Sequence, residues 1–118
     1  MRCSADGNVD DVRISVSYDV GQGFVTGPLL DISPAQILWR QMIIRFDGER
    51  PIQLGGFLEF RERANPTHVI GLMEHARLLD IEFVDARDAR IHARRAIIAG
   101  FASAHLALQR VIAEEQAK

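Results

Sequence analysis

The sequence predicts a small α+β domain built on a single sheet of about four strands, with three helices packed on it and the last helix long. Two patterns support this fold class. Short segments alternate apolar and polar residues, which is typical of half-buried strands. Longer segments between them begin with helix-capping residues. With 118 residues, the chain has the length of one domain and can bury a core without disulfides.

The N-terminal region is predicted to form a β-hairpin after a mobile lead-in. Residues 1–10 are small and polar, so we expect them to be mobile. Residues 11–18 alternate cleanly and predict a strand, and turn-forming residues follow at 19–23. Pro28 then limits the second strand of the hairpin to a sheet edge. The folded domain is therefore expected to span residues 11–118.

Residues 34–47 leave two alternatives open. Ser33, Pro34 and Gln36 fit a capping box with proline at the first helical position, so a helix that ends at Asp47-Gly48 is the first choice. The body of the segment is apolar on nearly every side, however. A short run of this kind also fits a buried strand over residues 41–46, and periodicity alone does not decide between the two.

The second half of the chain is predicted to contain two strands and two helices. Residues 52–61 fit a strand with a bulge at Gly55-Gly56. Asn65-Pro66 provides a cap followed by proline, which predicts a helix from residue 66 to 79. A short strand over residues 81–84 follows. Asp85 is then expected to cap a helix from about residue 86 to residue 116, in which one glycine costs little.

The length of this last helix predicts self-association. A straight helix over residues 86–116 would be roughly 45 Å long, whereas a compact domain of this size is only about 35 Å across. Uncovered, its small and apolar faces would leave an adhesive surface. We therefore expect a homo-oligomer, most simply a two-fold dimer; a kink near residue 100, or burial of the small face by helix 66–79, are the alternatives. The expected interface residues are Ala96, Gly100, Phe101, Ser103, Ala107 and Leu108.

Composition excludes several classes of function. The net charge of −2 at pH 7 gives no electrostatic basis for binding nucleic acid or an anionic membrane. No stretch approaches the roughly 20 apolar residues of a membrane span, and the N-terminus lacks the apolar core of a signal peptide. We therefore expect a cytoplasmic protein. The single cysteine, Cys3, excludes an internal disulfide and a cysteine-based zinc site, and no metal or cofactor is predicted.

Histidines are the main candidates for chemistry. His105 lies on the apolar face of the last helix, where an imidazole must be hydrogen-bonded. We expect it to bond a backbone carbonyl or to stack across the dimer seam; the alternative is that it lines a ligand pocket or makes assembly sensitive to pH. His68 and His75 share one helix face about 10 Å apart, too far for one metal ion but able to line one cleft.

Asp88 and His92 predict a helix-surface ion pair. The candidate acid–base residues are His68, His75, His105 and Asp31, and the candidate anion-binding residues are Arg94 and Arg40.

Two functions follow from these observations. The first is a small self-associating regulatory, adaptor or accessory protein that binds a protein partner or a ligand. The second is a small homo-oligomeric enzyme with a site at the subunit junction, lined by histidine and arginine, that acts on an anionic small molecule. A cavity of a few hundred Å³ that brings together a histidine and an arginine would favour the enzyme, and a flat apolar surface would favour the adaptor.

Overall fold

The computed structural model describes residues 1–54 and 65–117, which form two antiparallel sheets and two helices. One sheet has the order β1-β2-β3 and the other β5-β4-β6-β7. The α+β class is confirmed, but the expected single sheet is two sheets. The elements are β1 (Arg2–Val9), β2 (Val12–Gly21), β3 (Phe24–Pro34), β4 (Trp39–Phe46), β5 (Ile52–Leu54), α1 (Pro66–His75), β6 (Leu78–Asp85), β7 (Ile91–Ile97) and α2 (Phe101–Gln116).

The N-terminal ten residues differ from the prediction. Residues 1–10 are not a mobile segment, because β1 pairs with β2 along its whole length, from Arg2 opposite Asp19 to Val9 opposite Val12. Asp10 and Asp11 link the two strands with φ values of 50° and 65°. Two consecutive residues with positive φ are typical of a two-residue hairpin turn, in which aspartate is tolerated.

The predicted hairpin is confirmed as β2 and β3, which pair antiparallel with an irregularity between Ser17 and Asp19. Gly27 lies opposite this irregularity with φ of 122°. A Cβ atom at this position would lie 3.0 Å from the Ser17 carbonyl oxygen, so glycine suits both the dihedral angle and the close approach.

The first-choice helix over residues 34–47 is wrong, and the alternative strand is right. β4 alternates as a strand does, with Met42, Ile44 and Phe46 buried. The capping residues instead end β3 and enter a turn, where Gln36 has φ of 60°. Burial of one strand face against the core therefore outweighed a local capping signal.

The long helix over residues 86–116 is also wrong. Residues 85–90 form a turn, because the Asp85 carboxylate accepts the N–H of Arg87 and the Asp88 carboxylate accepts the N–H of Arg90. The chain then returns as β7 beside β6. Aspartate side chains that bond the backbone two residues ahead favour turns over helices. α2 has 16 residues and is roughly 24 Å long, so it is not longer than the domain and its length gives no support for a dimer.

Helix α1 begins as predicted. The Asn65 side chain accepts the N–H groups of Thr67 and His68, at 3.0 and 3.4 Å. The helix ends at His75 rather than at Leu79, because the Asp47 carboxylate accepts the N–H groups that follow and the chain continues as β6. The predicted strand over 52–61 is confirmed for Ile52–Leu54; its other residues, with the Gly55-Gly56 bulge, lie outside the described residues.

Both sheets and both helices contribute to one apolar core. α2 packs on β1 and β2, and α1 packs on β3 and against α2. No helix in the described part of the chain is long and apolar enough to cross a membrane. The largest fully buried side chains are Val12, Val16, Ile32, Met42, Ile44, Val69, Met73, Leu79, Ile81 and Phe83.

Candidate functional site

A cavity of about 260 Å³ lies between β1, β2, the end of β7 and the beginning of α2. Its existence follows from the small residues of β1, because Ala5 and Gly7 face α2 across a space that larger side chains would fill. A Cβ atom built on Gly7 would meet no atom within 4 Å. The cavity lining includes the side chains of Ile14, Val16, Ile98, Phe101, Ala104 and His105.

The surface of this cavity is almost entirely carbon. Asp6 contributes to the wall, but Ser15, its partner in the β1–β2 register, points away from the buried face of β2. The Asp6 carboxylate accepts the hydroxyl of Ser15 on that outer face. The imidazole of His105 is therefore the polar side chain that faces the cavity from the core side.

His105 is buried with both ring nitrogens in hydrogen bonds. Nε2 lies 2.8 Å from the Tyr18 hydroxyl, and Nδ1 lies 2.9 Å from Oε1 of Glu74. A carboxylate can only accept, so Nδ1–H donates to Glu74, and in the neutral imidazole Nε2 then accepts the proton of the Tyr18 hydroxyl. The sequence predicted a bond to a backbone carbonyl or stacking across a dimer seam, but the partners are two side chains of the same chain, Tyr18 and Glu74.

The Tyr18 hydroxyl stays protonated in this arrangement. Burial raises the pKa of Tyr18 above its ordinary value, and the nearby negative charge of Glu74 raises it further. The rings of Tyr18 and Phe101 stack on the imidazole of His105, at centroid distances of 6.1 and 5.8 Å. The chain Tyr18–His105–Glu74 therefore ties β2, α2 and α1 together and fixes the start of α2 beside the cavity.

A second cleft, of about 420 Å³, lies beside α1; we term it the polar cleft because charged and polar side chains line it beside apolar ones. His68 and His75 both line it, as their shared helix face predicted. Arg50 and Glu49 line the opposite side. Neither imidazole has a hydrogen-bond partner within residues 1–54 and 65–117. This cleft brings together two histidines and one arginine, although that arginine is not one that the sequence singled out.

The other predicted site residues are dispersed. Asp31 is exposed on the outer face of β3, and Arg40 is exposed on β4. Arg94 is half-buried on β7, but its guanidinium lies over the Phe83 ring at 5.7 Å and donates to the Ala93 carbonyl. The structure therefore does not bring these residues to either cavity.

The residues expected at a subunit interface have different environments. Ala96 and Leu108 are buried inside the chain, and Phe101 is half-buried against the ligand-sized cavity. The remaining three are exposed: Gly100, Ser103 and Ala107.

The turn between β6 and β7 gathers Asp85, Asp88 and His92, whose ligand-type atoms lie within 4.8 Å of one another. The predicted ion pair is confirmed, with Nε2 of His92 2.9 Å from the Asp88 carboxylate, although it joins a turn to a strand rather than two turns of a helix. The N–H of Arg87 lowers the pKa of Asp85, and the N–H of Arg90 followed by His92 lowers the pKa of Asp88. These contacts indicate that the three residues stabilise the turn between β6 and β7.

No family model, no curated protein and no solved structure matches this chain.

Proposed function

We propose that this protein acts by binding, as a regulatory or accessory protein whose apolar cavity holds an apolar group of a ligand or partner. The observation that carries the proposal is the carbon-lined space of about 260 Å³ beside His105, kept open by Ala5 and Gly7. An engineered cavity of roughly 150 Å³ is already enough to bind benzene. A ring or a short branched chain is therefore the expected occupant.

The chemistry of the lining supports binding rather than catalysis at this cavity. Both nitrogens of His105 are already bonded to Tyr18 and Glu74, so the ring offers the cavity no free proton acceptor. Burying about 120 Å² of apolar ligand surface contributes roughly 3 kcal/mol. A simple hydrocarbon is therefore expected to bind only in the millimolar range, with further affinity coming from groups outside the cavity.

A titration of the ¹⁵N-labelled protein with toluene, followed by amide chemical shifts, tests the proposal. Shifts are expected to concentrate on β1 and on the first turns of α2. Ala104→Leu adds side-chain volume to the cavity wall and is expected to abolish these shifts, whereas the matched variant Ala107→Leu, one turn away and outside the cavity lining, is expected to keep them. Toluene shifts that are absent in the wild type, or equal in both variants, would contradict the proposal.

The polar cleft supports a second candidate, an enzyme that acts on an anionic small molecule. Its supporting observation is that His68 and His75 face the same cleft as Arg50, with neither imidazole hydrogen-bonded within the described residues. Free imidazoles provide acid–base chemistry, and a guanidinium can hold a phosphate or carboxylate. Hydrolysis of p-nitrophenyl phosphate that is lost in His68→Ala and His75→Ala, and kept in His92→Ala, would favour this candidate.

A cytoplasmic location is part of the proposal. Its support is that Cys3 is a buried free thiol and the chain has no second cysteine with which to form a disulfide. Free thiols of this kind are usual in reducing compartments.

A further inference from the structure

The free edge of β1 carries backbone groups that the chain does not use. β1 is an end strand of its sheet, beside β2. Met1 and Val20 exchange N–H···O=C hydrogen bonds in both directions, at 2.7 and 2.9 Å. Along an antiparallel ladder, the odd-numbered residues of β1 therefore bond β2. The N–H and carbonyl groups of Ser4, Asp6 and Asn8 point to the free edge, and they have no partner in the part of the chain that the structure describes.

The side chains of β1 alternate between an outer and an inner face. The even-numbered residues are all exposed, whereas Cys3, Ala5 and Val9 pack against the apolar core. Gly7 belongs to this inner face because it is odd-numbered. The apolar cavity lies on the same side and is reached from solvent, since Gly7 and Ala104 in its wall are exposed. A side chain placed beside Gly7, just beyond the edge of β1, is therefore next to the cavity.

The edge and the cavity together are complementary to an extended peptide. Backbone groups that repeat every second residue, about 6.8 Å apart, match those of another extended main chain. If this chain runs antiparallel to β1, the residue opposite Gly7 places its side chain on the inner face, and its two neighbours hydrogen-bond with Asp6 and Asn8. A Cβ atom built on Gly7 would meet no atom within 4 Å, so a ring on the opposite residue has room to lean across β1.

Charge favours the antiparallel direction. The turn that follows β1 carries the exposed carboxylates of Asp10 and Asp11, and neither has a cationic partner in the described residues. A strand that runs antiparallel to β1 brings its N-terminal end to this turn. Opposite charges on neighbouring strands favour pairing, so lysine or arginine is expected about three residues before the side chain that enters the cavity.

We infer that the edge of β1 binds an extended segment of a partner protein, which adds antiparallel to β1 and inserts one aromatic or branched apolar side chain into the cavity. The inference rests on the proposed function, because it states the chemistry of the partner that the cavity holds. In strand addition of this kind, main-chain hydrogen bonds provide affinity and the side-chain pocket provides specificity. The charges of Arg2 and Asp6 on the outer face oppose indiscriminate pairing of the edge.

A capped peptide of about seven residues, the length of an ordinary strand, is the probe. It begins with lysine, has phenylalanine at its centre and valine two residues to either side, and carries threonine elsewhere. Titration into the ¹⁵N-labelled protein is expected to shift the amides of Ser4, Asp6 and Asn8, with an affinity at least about tenfold higher than that of toluene. Alanine in place of the phenylalanine is expected to weaken binding at least about tenfold.

Methylation of the peptide backbone separates strand pairing from side-chain insertion. The N–H groups of the threonines that flank the phenylalanine donate to β1 in the expected register, whereas the N–H of the phenylalanine points away. Methylating either of these threonine nitrogens is expected to weaken binding about tenfold. Methylating the phenylalanine nitrogen is the matched control and is expected to leave the affinity unchanged. No binding by the parent peptide, or equal affinity of the methylated peptides, would overturn the inference.

Two variants of the protein test the edge from the other side. Asn8→Pro removes an edge N–H, and proline is tolerated where the N–H of an edge strand faces solvent. Asn8→Thr is the matched control, because it removes the same side chain and keeps the N–H. Both variants are expected to keep the toluene shifts, whereas the peptide is expected to bind Asn8→Pro about tenfold more weakly than Asn8→Thr.

The toluene and peptide titrations distinguish failure of the inference from failure of the proposed function. Toluene binding with equal peptide affinity in Asn8→Pro and Asn8→Thr would overturn the inference and leave the proposed function standing. Absence of toluene shifts in the wild type would overturn both. Shifts of the Ser4, Asp6 and Asn8 amides when the protein alone is diluted would assign the edge to a second copy of the chain, which also overturns the inference.

Discussion

The apolar cavity below α2 and the polar cleft beside α1 are both lined by histidine, but they use it in opposite ways. His105 has each ring nitrogen bonded to a side chain of another element, Tyr18 on one side and Glu74 on the other. His68 and His75 lie at the surface with no hydrogen-bond partner in the described residues. A histidine whose hydrogen-bonding capacity is used up holds structure together, whereas one with free nitrogens is available for chemistry.

The comparison also explains the shapes of the two regions. The cavity depends on a rigid rim, because the Tyr18–His105–Glu74 chain fixes α2 over a strand of small residues. The cleft depends only on the side chains of α1 and the segment before β5. Substitutions of the histidines should therefore affect stability in one region and leave it unchanged in the other.

The largest expected effect is that of His105→Ala. It leaves the hydroxyl of Tyr18 and the carboxylate of Glu74 without their partner and removes buried ring volume, which together should lower the free energy of unfolding by about 3 kcal/mol. Urea denaturation measures this change. His75→Ala is the control and should lie within about 0.5 kcal/mol of the wild type. Equal losses for the two variants would remove the distinction between the regions.

A smaller effect is expected at the capping residue of α1, which carries both cleft histidines. Asn65→Ala removes the side chain that accepts the first N–H groups of the helix and should lower the free energy of unfolding by about 1 kcal/mol. Thr67→Ala changes an exposed neighbour whose hydroxyl makes no hydrogen bond in the described residues, and should have little effect. A neutral Asn65→Ala variant would show that tertiary packing alone fixes this helix.

The pH dependence of Tyr18 sharpens the comparison further. Its pKa is raised in the folded state, so the stability that it contributes is present below the unfolded pKa, near its ordinary value of 10.0, and is lost as pH rises through the folded pKa. Tyr18 is the only tyrosine, so ultraviolet titration follows it alone. The midpoint should be higher in the folded than in the urea-unfolded protein. A folded midpoint at or below the unfolded one would mean that burial and the negative charge of Glu74 do not act on this hydroxyl.

Low pH should destabilise the turn before β7, whereas the contribution of Tyr18 to stability is lost at high pH. The pKa values of Asp85 and Asp88 are lowered in the folded state, chiefly by backbone N–H groups. Their contribution is therefore present above the unfolded pKa and is lost as pH falls through the lowered value. The unfolding midpoint should decline less steeply below pH of about 4 in Asp88→Asn than in the wild type. Parallel acid profiles for the two proteins would show that this carboxylate does not hold the turn.

The sequence predicted those features that depend on neighbouring residues. The β2–β3 hairpin, the Asn65 cap and the burial of His105 all follow from local alternation, capping or the helical period, and each is confirmed. The helix predicted over residues 86–116 is wrong because the aspartates at 85 and 88 bond backbone N–H groups two residues ahead. These bonds favour a turn and outweigh the helix-forming residues around them.

The cavity could not be predicted from the sequence in the same way. Its walls come from β1, β2, β7 and α2, and Tyr18 is 87 residues from the histidine to which it donates. The one local signal was the pair of aspartates at 10 and 11, which fit a two-residue hairpin turn and would have identified β1 as a strand. Unless residues 2–9 are recognised as a strand, the sequence does not indicate that the small residues Ala5 and Gly7 face a helix and line a cavity.

Xenon-pressurised crystals test the central claim most directly, because xenon enters apolar cavities and gives an anomalous signal at its position. We expect a xenon atom between Ile14, Phe101 and Ala104, and none beside His68 in the polar cleft. An empty space at Ala104, or xenon confined to the cleft, would contradict the assignment of the cavity as the ligand site.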